Sequence, residues 1–68
     1  MPKLYSSHHI ISVLLRYGFM EVSQKGSHKK FRNDSRIVIV PAPRKEIPFG
    51  TVSSIVRQAG LTKEDFES

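Results

Sequence analysis

Cysteine is absent from the 68 residues of this chain, which excludes a disulfide framework and a thiolate metal cage at one stroke. Long apolar runs are missing as well. The longest, Ile37 to Val40, falls far short of the roughly 20 residues a bilayer-spanning helix needs. His8, His9 and Ser12 interrupt the N-terminal stretch where a signal peptide would carry its apolar segment. A soluble, cytoplasmic protein is the expectation. Carboxylates are scarce, and they form no cluster suited to magnesium. His8 and His9 are adjacent, so on a helix they point about 100° apart and chelate poorly together. No metal and no cofactor is expected. Repeats and low-complexity tracts are also lacking, and the length allows one domain, residues 1–68, with a thin core.

Positive charge is what the chain has in excess. Eleven Lys and Arg stand against six Asp and Glu, for a formal net charge of +5. The distribution says more than the total. Lys25, Lys29, Lys30, Arg32, Arg36, Arg44 and Lys45 crowd the middle of the chain, opposed there by Asp34 alone. Glu64, Asp65 and Glu67 gather at the other end. A basic middle of this kind suits a phosphate backbone. Composition alone equally describes a solvated surface that keeps a small protein in solution.

Apolar spacing predicts a helix from about Ser7 to Tyr17. Ile10, Val13, Leu14 and Tyr17 fall on one stripe, and Ile11 and Leu15 widen it toward a core-facing arc. Ser6 or Ser7 supplies the N-cap and Gly18 the left-handed stop. Three strands are predicted next: Phe19 to Gln24, His28 to Arg32, and the β-branched run Ile37–Val40 that ends at Pro41. Lys25-Gly26 and Asn33-Asp34-Ser35 make short turns between them, which favours an antiparallel meander. Pro41, Pro43 and Pro48 then hold an extended loop that carries Arg44 and Lys45.

A second helix starts near Gly50-Thr51, with Val52, Ile55, Val56 and Ala59 on its apolar stripe and Gly60 as its stop. Thr62 and Asp65 resemble a capping box for a final helical turn. The order α-β-β-β-α describes a two-layer α+β domain, a three-stranded antiparallel sheet with two helices on one face and the other face open. The third strand is expected at the sheet edge, where free backbone groups invite a partner chain.

Strand periodicity divides the second strand between these faces. Phe31 goes inward beneath the helices, and His28, Lys30 and Arg32 share the open face. An imidazole beside fixed positive charges has the means to move a proton near neutral pH. RNA brings its own nucleophile, the 2′-hydroxyl, so its cleavage asks for proton transfer, in-line positioning and charge stabilisation. His28 suits the first task; Lys29, Lys30 and Arg32 are candidates for the last. Spacing by itself nonetheless reads His28 as an ordinary surface histidine, and Gly26-Ser27 as a tight turn.

The run Gln24-Lys25-Gly26-Ser27-His28-Lys29-Lys30-Phe31 resembles the G-S-H-x-x-F segment of the HicA toxins. Val38-Ile39-Val40-Pro41, Lys45-Glu46-Ile47-Pro48 and Gly50-Thr51 are similar to that family's V-V-V-P, K-E-I-P and G-T signatures. Ile55 to Leu61 resembles its closing I-x-x-Q-A-G-L stretch, and Gly18-Phe19 its glycine–aromatic step into the first strand. The ordered set spans nearly the whole chain. One departure is Phe49, where the family often has a lysine.

The resemblance implies a double-stranded-RNA-binding-domain-like fold and a metal-independent endoribonuclease that cleaves mRNA. It makes His28 the catalytic residue, with Lys25, Gly26, Ser27, Lys29, Lys30 and Arg32 binding RNA. It also implies a HicB-type antitoxin partner, and that partner is expected to cover the His28 face and reach the third strand. A non-catalytic RNA-binding module, or an interaction protein that docks an acidic partner, would use the same basic face.

Overall fold

A computed structural model describes residues 4–67 of the chain. Its elements run α1 (Ser7–Arg16), β1 (Met20–Lys25), β2 (His28–Asn33), β3 (Arg36–Pro41), α2 (Phe49–Ala59) and α3 (Lys63–Glu67). The strands form an antiparallel sheet in the order β1-β2-β3, and the predicted α+β order is present, with the final helical turn expected after Thr62 realised as α3.

Local chemistry explains the helix ends. The Ser6 hydroxyl accepts the His9 amide at 3.1 Å and so caps α1. Gly18 and Gly60 follow α1 and α2 with φ of 91° and 70°, a left-handed turn that a side chain would strain. Thr62 and Asp65 exchange bonds reciprocally, Thr62 N–H to Asp65 Oδ2 at 2.9 Å and Asp65 N–H to Thr62 Oγ1 at 3.3 Å, which is capping-box geometry.

Both longer helices pack on β3, and α1 also meets α3. Ile10, Val13 and Leu14 from α1, Phe31 from β2, Val38 and Val40 from β3, Ile55 from α2 and Phe66 from α3 close the core. Two expectations for α1 fail here. Leu15 is 53% exposed and Tyr17 is 40% exposed, because this side of α1 faces away from the core and meets solvent. Tyr17 turns its phenol to Asp65 Oδ1 at 2.9 Å.

The first strand begins one residue later than expected. Phe19 is buried in the core ahead of it, and all six β1 residues are exposed. The strand's backbone pairing is with β2. A register shift between Glu21 and Ser23 leaves Val22 as a bulge, which reverses the alternation of faces along β1.

The third strand lies at a sheet edge as expected, with one of its outward backbone groups bonded to a side chain. It is flanked by α2, and the outward N–H of Ile39 donates to Gln58 Oε1 at 3.2 Å. β1 forms the opposite edge.

Candidate functional site

Register places the open face in three cross-strand rows. Lys25 lies opposite His28 and His28 opposite Pro41; Ser23, Lys30 and Ile39 form the second row; Met20, Arg32 and Ile37 form the third. His28, Lys30 and Arg32 therefore run down the middle strand on one face, roughly 6–7 Å apart along it, while Phe31 between them is 0% exposed on the other. Arg32 Nε donates to the Asp34 carbonyl at 2.9 Å, which holds this guanidinium at the far turn.

The His28 side chain is exposed and makes no hydrogen bond within the described residues. It lines a groove of about 400 Å³ between the sheet's open face and α2, shared with Ile39, Pro41, Arg44, Pro48, Gly50, Thr51, Ser54, Ile55 and Gln58. Arg44 is placed there by its backbone. The Ser7 amide donates to the Arg44 carbonyl at 2.9 Å, the Ser7 hydroxyl donates to that same carbonyl at 3.2 Å, and the Arg44 N–H donates to Ser7 Oγ at 3.0 Å. Ser7 is buried, so these bonds anchor the loop to the start of α1.

The N-terminal end of α2 opens on the same groove. Its N-cap is Pro48, with no side-chain cap and no acidic residue in the first turn. Free amides at such an end, together with the helix dipole, favour an anion. A phosphate in the groove would meet this end of α2, the Arg44 side chain and the His28 imidazole.

The other residues singled out by sequence divide. Lys25 and Lys30 share the His28 face. Gly26 turns the hairpin with φ of 58°, and the Ser27 carbonyl accepts the Ala42 amide at 2.7 Å, tying that turn to the end of β3. Lys29 lies on the helix side, opposite Val40, and pairs with Glu21 at 3.5 Å. Arg36 sits beside Gly60 at the C-terminal end of α2, where a cation complements the helix dipole.

Thr51, Ser54 and Gln58 were not legible as site residues. Their spacing of three and seven makes a polar stripe along α2, a signal that shows one face of the helix but not what lies across from it. His9 is structural: it stacks on Tyr5 with ring centroids 4.8 Å apart and bonds the Phe66 carbonyl through Nε2. Among the described residues, no three His, Cys, Asp or Glu side chains gather as a metal cage, and no helix is long and apolar enough to cross a membrane.

A small α+β domain with a cationic open sheet face, and a histidine at the mouth of an anion-suited groove, defines the class. Comparison with known families agrees with the motif resemblance: the profile of the HicA toxins of bacterial toxin–antitoxin systems matches residues 7–61. The chain belongs to the HicA toxin family. Among curated proteins no relative matches the sequence.

Proposed function

We propose that this protein is the cytoplasmic toxin of a type II toxin–antitoxin pair, an endoribonuclease that cuts mRNA without a metal, with His28 as its catalytic acid–base. One observation carries the reading. The unbonded imidazole of His28 stands at a groove that also holds Arg44 and the open first turn of α2. In the reaction the 2′-hydroxyl oxygen attacks the adjacent phosphorus and the 5′-oxygen leaves. A proton comes off the first oxygen and one goes onto the second. His28 performs one of these transfers, and Arg44 with the α2 amides stabilises the extra negative charge on the phosphoryl oxygens. Lys25, Lys30 and Arg32 bind the flanking backbone.

The partner that restrains this activity is a HicB-type antitoxin, which covers the open face. Ile37 and Ile39, about 40% and 39% exposed, give it apolar contact beside the cationic row.

A second reading draws on a specific feature: His28 is the one imidazole or carboxyl side chain lining the groove. A non-catalytic RNA-binding module would require no second acid or base. Labelled single-stranded RNA incubated with the protein in EDTA separates the two. Cleavage that falls about 10²–10⁴-fold on His28→Ala, in a protein that stays folded, supports the nuclease. Retention without cleavage supports the module. Wild-type cutting by the His28→Ala protein would refute the assignment of His28.

A further inference from the structure

The groove continues past His28 along α2, and its far end has a different chemistry. Near His28 and Arg44 it is cationic; beyond them Ile39 on the strand faces Ser54 and Gln58 on the helix. Gln58 is the fixed element of that end. The Ile39 N–H points away from β2, since Lys30 and Ile39 are a non-hydrogen-bonded pair by alternation from the Asn33–Arg36 turn. That amide donates to Gln58 at 3.2 Å, and a backbone N–H can bond only the oxygen of a side-chain amide. The orientation of Gln58 follows from this: Oε1 is held on the strand and the NH2 is turned elsewhere. No group among the described residues accepts from Nε2.

A donor locked by its own second bond, beside an apolar wall, suits the edge of a nucleobase better than a phosphate. A phosphate would prefer the cationic end of the same groove. Bases lying against apolar side chains are distinguished by hydrogen bonds to their edges. With the carbonyl of Gln58 occupied, the groove offers donors. Guanine and uracil present keto oxygens to a donor, whereas adenine and cytosine set an amino group next to their ring acceptors.

We propose that Gln58 is a specificity-determining residue, whose Nε2 donates to a keto base seated in the groove beside the phosphate that His28 addresses. The inference rests on the RNA-cleaving reading for the identity of the ligand. It differs from that reading in what it requires of Gln58.

Equilibrium binding in a His28→Ala background tests it, because the RNA then stays whole. Ten-residue oligoribonucleotides of uridine, adenosine or cytidine are the probes. Oligouridine should bind about tenfold more tightly than oligoadenosine, the discrimination expected of one well-placed hydrogen bond. Adding Gln58→Ala should reduce that advantage to about twofold or less, chiefly by weakening oligouridine. Gln58→Glu keeps an acceptor for the Ile39 N–H but turns an acceptor to the groove, so it should reverse the preference toward oligoadenosine and oligocytidine. Should loss of the strand bond unfold the alanine variant, the glutamate variant decides.

A uridine preference that survives both substitutions, or no preference at all, overturns the proposal even if the wild-type protein cuts RNA. A preference that Gln58→Ala abolishes, in a protein whose His28 form never cuts, leaves the base site standing and sinks the nuclease. Absence of any RNA binding sinks both.

Discussion

Lys29 Nζ lies 3.5 Å from Glu21 Oε1 on the helix side of the sheet, although the side chains before and after it in sequence, His28 and Lys30, emerge on the open face. The bulge at Val22 makes the pair possible, because it puts Glu21 opposite the inward Phe31. Three consecutive basic or titratable residues thus have two destinations. Replacing Lys30 and Arg32 together by Ala should weaken binding to single-stranded RNA and flatten the plot of log affinity against log salt by roughly 0.7 for each lost phosphate contact. Lys29→Ala should leave that slope unchanged. A slope that responds to Lys29 as strongly as to Lys30 would place the RNA on the other side of the sheet.

Phe31 is the one fully buried side chain of β2. Truncation of a buried phenylalanine to alanine costs about 3–5 kcal/mol, and a chain of this size is stable by only roughly 3–10 kcal/mol. Phe31→Ala should therefore lose most or all of its cooperative thermal transition in far-UV circular dichroism. A melting temperature within a few degrees of wild type would mean that the helices are held without it.

Neighbouring positions on β3 should respond in opposite ways to the same change. Val38→Lys puts an ammonium group into the core and should unfold the protein. Ile37→Lys, on the open face, should fold normally, with a stability change within about 0.5 kcal/mol, and should weaken the complex with the antitoxin. An unchanged antitoxin affinity for the Ile37 variant, measured by calorimetry, would move the partner off this face.

Acid should act on the packing of α3 through Asp65. The Thr62 main-chain N–H, and then the Tyr17 phenol, hold its carboxyl below the ordinary value of 3.8. Folding therefore favours the carboxylate. That contribution is complete above pH 3.8 and is lost as the pH falls through the lowered value. The melting temperature of the wild type should drop more steeply than that of Asp65→Asn as the pH falls below 3.8. Parallel curves would show that the bonds to Thr62 and Tyr17 contribute nothing to folding.

Short-range pattern carried most of the architecture. Apolar spacing located α1 and α2, the turn residues separated the three strands, and alternation sent Phe31 inward and His28, Lys30 and Arg32 outward. What escaped depends on which element lies against which. Leu15 and Tyr17 sit on an apolar stripe, yet both stay exposed, and Tyr17 reaches α3 only through its phenol. Lys29 has the parity of the inner face, but only the bulge brings Glu21 within reach of it. Gln58 stood in the I-x-x-Q-A-G-L stretch, but its place in the groove depends on α2 lying beside β3, which no local pattern shows. His28 was legible as an exposed imidazole, and the groove that gives it neighbours was not.

An outer strand that buries none of its side chains has a consequence for motion. The β1 ladder can detach from β2 without uncovering Ile10, Leu14 or Phe66, so its opening free energy lies well below that of global unfolding. Amide protons of β1 should exchange with solvent first, while those that bond β2 to β3 persist until the whole domain melts. His28 and Lys30 ride on the slow side of that boundary, moored through Phe31. The hairpin that presents them has one arm free to fray and one that cannot.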